Sequence, residues 1–338
     1  MTGRTSEHGE GCHGSSLNRW IAVWALMALS VSSGCLRRAP QYGNGWTQGP
    51  ALPEPIQEIH AAVFHNRIYI AGGFHAGSAA SRSAYRLDAA TNRWEPVAQL
   101  PEARHHMPLA VVGDSLYAIG GLGPNGMSPA VTLWLYDEQA GRWLTRAPLP
   151  EPRGASAVGV IGGKIIVVGG FGPGPRLLDS IAVYDPTTDR WRHRAPIPTR
   201  RDHLAGAVIG GKLYAIGGRP LSADRNLKAL EVYDPSSDSW TRLAPMPTAR
   251  GGLAAVALGN RIYTYGGETS RRVFSEHEVY DVATAAWAAA PRLPTARHGL
   301  AAAVLDDRIY VIGGGPQAGF AQTEVVEIYT PAATMGRR

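Results

Sequence analysis

The feature that most constrains this chain is a pair of adjacent glycines that returns six times at a nearly constant interval. The pairs begin at Gly72, Gly120, Gly169, Gly217, Gly266 and Gly313, at intervals of 48, 49, 48, 49 and 47 residues. A tryptophan stands 26 residues before each pair, at Trp46, Trp94, Trp143, Trp191, Trp240 and Trp287. A period close to fifty residues is typical of repeat architectures, so the chain is predicted to contain six copies of one structural unit.

Each copy contains four short apolar runs separated by turn-forming residues. In the copy from 201 to 247 the runs cover residues 204–209, 213–216, 230–233 and 240–243. Short apolar runs that alternate with turns predict a four-stranded antiparallel meander. A sheet of this size exposes two apolar faces, so the copies are expected to pack on one another in a ring.

These copies resemble the kelch repeat. A Tyr-Asp pair lies seven residues before four of the tryptophans, at Tyr136-Asp137, Tyr184-Asp185, Tyr233-Asp234 and Tyr280-Asp281. The first copy has Leu87-Asp88 instead, and the last has Tyr329-Thr330 with no tryptophan after it. The resemblance implies an all-β, six-bladed propeller with four-stranded antiparallel blades. It says little about function, because this fold carries enzymes, adaptors and scaffolds.

The ring is expected to close through the N-terminal strand. Trp46 lies in a lone fourth strand at 45–52, whereas the last copy stops after its third strand at Tyr329. The N-terminal strand should therefore complete the sixth blade and remove the free sheet edges. The predicted blades are 57–101, 104–149, 153–198, 201–247, 250–294, and 297–330 together with 43–52, followed by a tail at 331–338.

The first 42 residues differ from the repeats. An apolar run at 20–31 follows Arg19, and its twelve residues suit the core of a signal peptide better than a membrane span. It ends in Ser32-Ser33-Gly34-Cys35, which resembles a bacterial lipobox. We therefore predict a signal peptide at 1–35, lipidation of Cys35 and a short tether at 36–42. Plain secretion, an uncleaved anchor and a misassigned start are alternatives. A signal peptide implies an extracytoplasmic protein, lipid-anchored, periplasmic or secreted.

Composition excludes several classes of function. Cys12 and Cys35 are the only cysteines and both precede the repeats, so the propeller has no disulfide or thiolate metal site. The formal net charge is +6, but no run of five basic residues occurs, and nucleic acid is not an expected partner. The adjacent His105 and His106 are a poor metal signal, because neighbouring strand residues point to opposite faces. No cofactor and no metal are predicted.

The variable loops indicate which face of the ring could bind a ligand. All length variation between copies falls in the loop after the second strand. In an antiparallel meander this loop opens on the same side as the connection between successive blades. That face is the candidate binding surface.

Five arginines recur on this face. Ile56 and then an arginine stand sixteen residues before the successive diglycines, and the arginines are Arg104, Arg153, Arg201, Arg250 and Arg297. If they converge around the mouth of the channel, their guanidinium groups could bind an anionic ligand. Alternatively, each arginine bonds loop carbonyls or an aspartate of a neighbouring blade. The strict periodicity of the arginines favours this second interpretation. The resemblance supports the first, because kelch proteins that bind acidic peptides or sialic acid use arginines around this mouth.

Less regular residues beside these arginines are candidates for acid–base chemistry. A histidine and a carboxylate near an anion-binding site could exchange protons with a substrate. The candidates are His105, Asp202, His203, Glu268 and His298.

Two functional classes remain. The favoured one is a non-catalytic, monomeric binding propeller at the cell envelope or secreted, which presents one face to a glycan, peptide or protein partner. An anionic partner is the case that the arginines would suit. The alternative is a sugar mutarotase or epimerase acting on an acidic sugar such as sialic acid, similar to periplasmic kelch mutarotases. Copper-radical oxidases are disfavoured because the propeller has no cysteine to crosslink a tyrosine. Ubiquitin-ligase adaptors are disfavoured because no BTB or F-box segment precedes the repeats.

Overall fold

Residues 41–332, apart from 125 and 175, are described by a computed structural model. The predicted signal peptide with Cys35, residues 36–40 of the predicted tether and residues 333–338 of the tail lie outside the described residues. Within the described part, no helix has the length and apolar character needed to cross a membrane.

The described chain begins with two short strands and continues into the first three blades. The N-terminal strands are β1 (Gln41–Gly43) and β2 (Trp46–Gln48). Blade 1 contains β3 (His60–Phe64), β4 (Arg67–Ala71), β5 (Ala84–Asp88) and β6 (Arg93–Pro96). Blade 2 contains β7 (Leu109–Val111), β8 (Leu116–Ile119), β9 (Leu133–Asp137) and β10 (Arg142–Thr145). Blade 3 contains β11 (Ala157–Ile161), β12 (Lys164–Val168), a small hairpin of β13 (Phe171–Gly172) and β14 (Arg176–Leu177), β15 (Ile181–Asp185) and β16 (Arg190–Arg194).

The remaining blades follow the same order. Blade 4 contains β17 (Ala205–Ile209), β18 (Lys212–Ile216), a 3₁₀ turn (Ala223–Arg225), β19 (Leu230–Asp234) and β20 (Ser239–Arg242). Blade 5 contains β21 (Ala254–Leu258), β22 (Arg261–Tyr265), β23 (His277–Asp281) and β24 (Ala286–Ala289). Blade 6 contains β25 (Ala301–Leu305), β26 (Arg308–Ile312) and β27 (Val326–Tyr329). In every blade, sequential strands pair in antiparallel fashion, so the predicted six-bladed fold is confirmed.

The ring closes as the sequence predicted. Strand β2 pairs antiparallel with β27, and Trp46 lies opposite Tyr329. The structure adds a fifth strand that the sequence did not indicate: β1 pairs with the outer edge of β2. Residues 41 and 42 therefore belong to the sheet, although the sequence predicts them in the tether. Strand β1 hydrogen-bonds with backbone groups that β2 would otherwise leave free.

The repeated aromatic residues hold neighbouring blades together. Each of the six indole N–H groups donates a hydrogen bond to a carbonyl of the preceding blade, over 2.8 to 3.0 Å. The series includes Trp46, which donates to the Pro291 carbonyl across the closure. Because a buried indole needs an acceptor for its N–H, these bonds fix one blade against the next.

The diglycines are needed where the second strand leaves the blade. Both glycines of every pair have positive φ, a conformation that costs glycine nothing. The second glycine of each pair donates its N–H to a backbone carbonyl of the next blade, at the position of the repeated arginine. Gly73, for example, donates to the carbonyl of Arg104 over 2.8 Å. The repeated glycines therefore join adjacent blades through the main chain.

Candidate functional site

The mouth of the central channel on the loop face is framed by a closed circle of six backbone hydrogen bonds. Each member donates its N–H to the carbonyl of the previous member, over 2.6 to 3.3 Å. The members stand fourteen positions before the diglycines and are Glu58, His106, Ala155, His203, Gly252 and Gly299. We call this set the inner circle.

Every member of the inner circle has positive φ. Glycine is the residue that adopts this conformation without strain, and blades 5 and 6 have glycine there. Glu58, His106 and His203 adopt it with large polar side chains, at φ values of 55°, 50° and 52°. Strained backbone of this kind persists where surrounding structure imposes it, and it is enriched at functional sites.

The three polar side chains of the inner circle meet one another. Glu58 Oε2 lies 2.8 Å from His106 Nε2. His106 Nε2 lies 3.0 Å from His203 Nε2. Three different blades therefore supply one contiguous cluster of two imidazoles and a carboxylate.

Four further side chains extend this cluster into a ring of ionisable groups. Asp202 hydrogen-bonds to Nδ1 of His203 and lies 3.8 Å from Nε of Arg219. Arg219 Nη1 bonds Glu268 Oε1 over 2.9 Å.

His298 completes the ring. Its Nδ1 lies 3.4 Å from Glu268 Oε2 and 3.4 Å from Glu58 Oε1. The ring of ionisable groups thus returns to Glu58 after passing through seven side chains.

These groups line a cavity of about 520 Å³ that opens on the loop face. The lining also has an apolar part, which includes Phe74, Phe171 and Phe320. Some of the polar and apolar residues occupy equivalent positions in the repeat. One such position lies two residues after the first glycine of each pair. It forms a β-bridge with the residue that directly precedes the inner-circle residue of the same blade. In successive blades this position holds Phe74, Leu122, Phe171, Arg219, Glu268 and Gly315. Blades 1–3 therefore supply apolar side chains and blades 4 and 5 supply charged ones.

Opposing effects set the protonation of Glu58 and His298. Burial alone would raise the pKa of Glu58, but the charge of His106 and hydrogen bonds from His106 and His298 hold that pKa well below its usual value. Burial would lower the pKa of His298, but the adjacent Glu58 and Glu268 raise it overall. The pair therefore favours a carboxylate beside an imidazolium.

His203 and the neighbouring His105 are held neutral. Burial, followed by the charge of Arg219, lowers the pKa of His203. Burial and the charge of His106 lower the pKa of His105 to about 3. Asp202 stays ionised, because His203, the Leu221 N–H and Arg219 together lower its pKa against the effect of burial.

The five repeated arginines lie elsewhere. Their guanidinium groups are enclosed within the blades, where they bond carbonyl groups and a glutamate, and none lines the cavity. Arg297, for example, donates to the carbonyls of Gly313 and Val325 and to Glu327 Oε2 over 2.6, 2.8 and 2.8 Å. The arginines therefore do not converge around the mouth as an anion site. They follow the alternative interpretation and bond carbonyls and carboxylates, although the carboxylates belong to glutamates and not to the expected aspartates. The glutamates are Glu102 for Arg104, Glu151 for Arg153, Glu231 for Arg201, Glu278 for Arg250 and Glu327 for Arg297.

Four of the five predicted acid–base candidates line the cavity, and one does not. The structure brings Asp202, His203, Glu268 and His298 together in the cavity wall. His105 lies behind the wall, fully buried and stacked on Phe74 with ring centroids 3.9 Å apart. It contacts His106 rather than the cavity.

Sequence reasoning did not select Glu58, His106 and Arg219, nor the aromatic wall. A signal was present, since the position fourteen before each diglycine reads Glu, His, Ala, His, Gly and Gly. A large polar residue where other copies have glycine marks a side chain kept in spite of backbone strain.

Comparison with known proteins agrees with this architecture. The family model described as Attractin/LZTR1 beta-propeller matches residues 68–326. Kelch-like protein 33 from Homo sapiens is 33% identical over 104 residues, which cover 30% of this chain and 19% of that protein. Kelch-like protein 36 from Mus musculus is 33% identical over 102 residues, covering 27% and 17%. The chain thus matches less than a fifth of the length of these relatives.

Among solved structures, that of YjhT is similar with a TM-score of 0.73 and 18% identity, covering 82% of this chain and 95% of the other. Identity this low speaks for the fold alone. The family match spans most of the chain and coincides with the blades described above. The chain therefore belongs to the Attractin/LZTR1 β-propeller family, and its repeats are kelch repeats.

Proposed function

We propose that this protein is a binding propeller that takes a small ligand of the glycan class, neutral or amine-bearing, in the loop-face cavity. One observation carries the proposal. Of the four large apolar side chains exposed in the described part of the chain, three surround this cavity: Met127, Leu221 and Phe320. Exposed apolar side chains gathered at one concave site are typical of a surface that a ligand covers.

The dimensions of the cavity favour a small ligand. About 520 Å³ falls within the range of small-molecule sites and suits a sugar or a peptide end better than a protein surface. Apolar C–H faces of a sugar ring can lie on Phe171 and Phe320 while its hydroxyl groups bond the polar lining. A glycan uses both parts of the lining, which is why we favour it over a peptide.

The charge of the cavity argues against the anionic ligand that the sequence suggested. Three carboxylates, on Glu58, Asp202 and Glu268, face one guanidinium, on Arg219. Glu268 already bonds that guanidinium, and the imidazoles of His106 and His298 lie within 3.4 Å of Glu58 or Glu268. An added carboxylate would compete with these carboxylates for the same positive groups, so a neutral or cationic ligand is favoured.

A thermal-shift panel tests this proposal. Glucose, N-acetylglucosamine, glucosamine and sialic acid are each added to the purified protein. We expect a neutral or amino sugar to raise the melting temperature, and Phe320→Ala to abolish that rise. Tyr42→Ala is the matched control, because Tyr42 is the exposed large apolar side chain outside the cavity. A rise with sialic acid alone, or an undiminished rise in Phe320→Ala, would contradict the proposal.

A second candidate is a sugar isomerase, favoured by the facing pair of Glu268 and His298. An imidazolium 3.4 Å from a carboxylate provides an acid and a base on one wall of the cavity. In mutarotation the base would take the proton of the anomeric hydroxyl while the acid protonates the ring oxygen. NMR exchange spectroscopy should then detect faster anomer exchange of the bound sugar, slowed at least tenfold by Glu268→Gln. Equal exchange with and without protein would leave binding as the only function.

We also propose that the propeller acts outside the cytoplasm, anchored through lipid on Cys35. The support is the lipobox-like end of the apolar run at 20–31. Mass spectrometry of the mature protein should find a lipid-modified N-terminal cysteine, and Cys35→Ser should abolish the modification. An unmodified N-terminus upstream of residue 20 would contradict the anchor.

A further inference from the structure

The protonation pattern around His203 leaves one ring nitrogen without a proton. Nδ1 of His203 hydrogen-bonds to the carboxylate of Asp202, which can only accept, so Nδ1 carries the ring proton. Metal binding requires the neutral form of an imidazole. Nε2 of His203 therefore presents a lone pair to the cluster.

The same reasoning applies to His106 through His105. Nε2 of His105 lies 3.2 Å from the Gly126 carbonyl, so it carries the proton of that neutral ring. Nδ1 of His105 is then an acceptor, and Nδ1 of His106, in contact with it, must donate. In the neutral form that metal binding requires, Nε2 of His106 is left with a lone pair.

Three acceptors consequently converge on one point. Nε2 of His106 lies 2.8 Å from Glu58 Oε2 and 3.0 Å from Nε2 of His203. All the candidate ligand atoms of these residues lie within 4.8 Å of one another. Lone pairs at such distances repel unless a cation lies between them, and the cation is either an extra proton on His106 or a metal ion.

We propose that Glu58, His106 and His203 bind one divalent transition-metal ion at the floor of the cavity. Two imidazoles and one carboxylate are a ligand set that zinc and ferrous ions accept with open coordination positions. Metal–nitrogen bonds of about 2.0–2.1 Å need the facing nitrogens to separate by only a few tenths of an ångström. The open positions face the cavity, where a sugar hydroxyl or water can bind.

The surroundings fit a metal better than a single shared proton. Asp202 orients His203 and His105 orients His106, each through the nitrogen that would not bind the metal. Such outer partners fix the tautomer and orientation of metal-binding histidines. A shared proton requires neither these two partners nor three strained residues from three blades.

This site goes beyond the proposed ligand binding, and no metal-binding motif in the sequence indicates it. The ligands come from blades 1, 2 and 4, so no short motif joins them. The adjacent His105 and His106 are a poor metal signal as a pair, because only His106 faces the cluster. The other ligands come from different blades.

Cobalt titration of the tag-free, EDTA-treated full chain tests the site. We expect visible absorption bands that saturate at one equivalent of Co²⁺ and disappear when Zn²⁺ displaces it. His203→Ala and Glu58→Gln should weaken Co²⁺ binding at least a hundredfold, and Asp202→Asn should weaken it about ten- to a hundredfold as a positioning residue.

His65→Ala is the matched control, because His65 also lies between two carboxylates, Asp114 and Glu138, but on the exposed surface. It should leave Co²⁺ binding unchanged. Circular dichroism and melting temperature verify that each variant is folded. Absence of saturable bands in the wild type, or wild-type affinity in folded His203→Ala, would overturn the metal site. The sugar-induced thermal shift of the metal-free protein reports on the proposed function separately.

Discussion

Two sets of charged residues lie only two positions apart in the repeat and have opposite surroundings. The arginines sixteen positions before each diglycine are enclosed in the blades and bonded to carbonyls and glutamates. The inner circle, two positions later, turns polar side chains toward a cavity. The arginines recur in five blades, whereas the inner circle changes residue type around the ring. Charged residues that recur in nearly every copy of the repeat therefore stabilise the blades, whereas charged residues that occur in only some copies indicate the candidate site.

The buried arginines stabilise the fold only as complete pairs. The side chains of Arg297 and Glu327 are both fully buried, and burial of either charge alone is strongly unfavourable. Burial lowers the pKa of Arg297, while Glu327 opposes that effect. Carbonyls of Gly313 and Val325 satisfy further N–H groups of the guanidinium.

The largest effect is expected from breaking such a pair. Arg297→Met should lower the free energy of unfolding by about 3–5 kcal/mol, because it leaves the Glu327 carboxylate buried without a partner. Urea unfolding measures the change. The double variant Arg297→Met with Glu327→Leu is the control and should recover much of the loss. A cost below about 1 kcal/mol for the single variant would remove the structural role assigned to these arginines.

A smaller loss is expected at Arg104, which differs from Arg297 in the exposure of its partner. The Glu102 side chain is 61% exposed, so solvent can stabilise it when the arginine is removed. Arg104→Met should cost about 1–2 kcal/mol in the same urea experiment. Equal costs at Arg104 and Arg297 would mean that partner burial does not govern these pairs.

The smallest effect is expected in the inner circle, and it has the opposite sign. His203→Gly should raise the free energy of unfolding by about 0.5–1 kcal/mol, since glycine accepts the positive φ without strain and Asp202 keeps the Leu221 N–H and Arg219 as partners. Ala155→Gly is the matched control, because Ala155 has φ 53° and no part in the ionisable ring. Both variants should gain stability, and only His203→Gly should lose Co²⁺ binding. A loss of stability confined to His203→Gly would mark its side chain as structural.

The fold could be predicted almost completely from the sequence, and the site only in part. Glycines, tryptophans and tyrosines recur because every blade needs the same turn, hydrogen bond and packing, so their spacing predicts the ring and its closure. Sequence spacing does not give side-chain direction, which is why the arginines were expected at the mouth. The partner glutamates were visible, two residues before the tyrosine in blades 4–6 and two before the arginine in blades 2 and 3.

The cavity lay beyond sequence reasoning for another reason. Its polar lining needs Glu58, Asp202 and Glu268 from three separate blades, and its apolar lining needs Phe171 and Phe320 from two more. Only ring closure brings these residues together. Asp202, His203, Glu268 and His298 could be selected because they depart from the repeat at positions facing the predicted loops.

The central claim is that the polar side chains of the inner circle are retained for binding and not for stability. Urea unfolding of the triple variant Glu58→Gly, His106→Gly and His203→Gly tests it most directly. The claim predicts a free energy of unfolding equal to that of the wild type or up to about 2 kcal/mol higher, because three strained positions become glycine. A fall of more than about 2 kcal/mol, comparable to loss of a buried arginine, would contradict it.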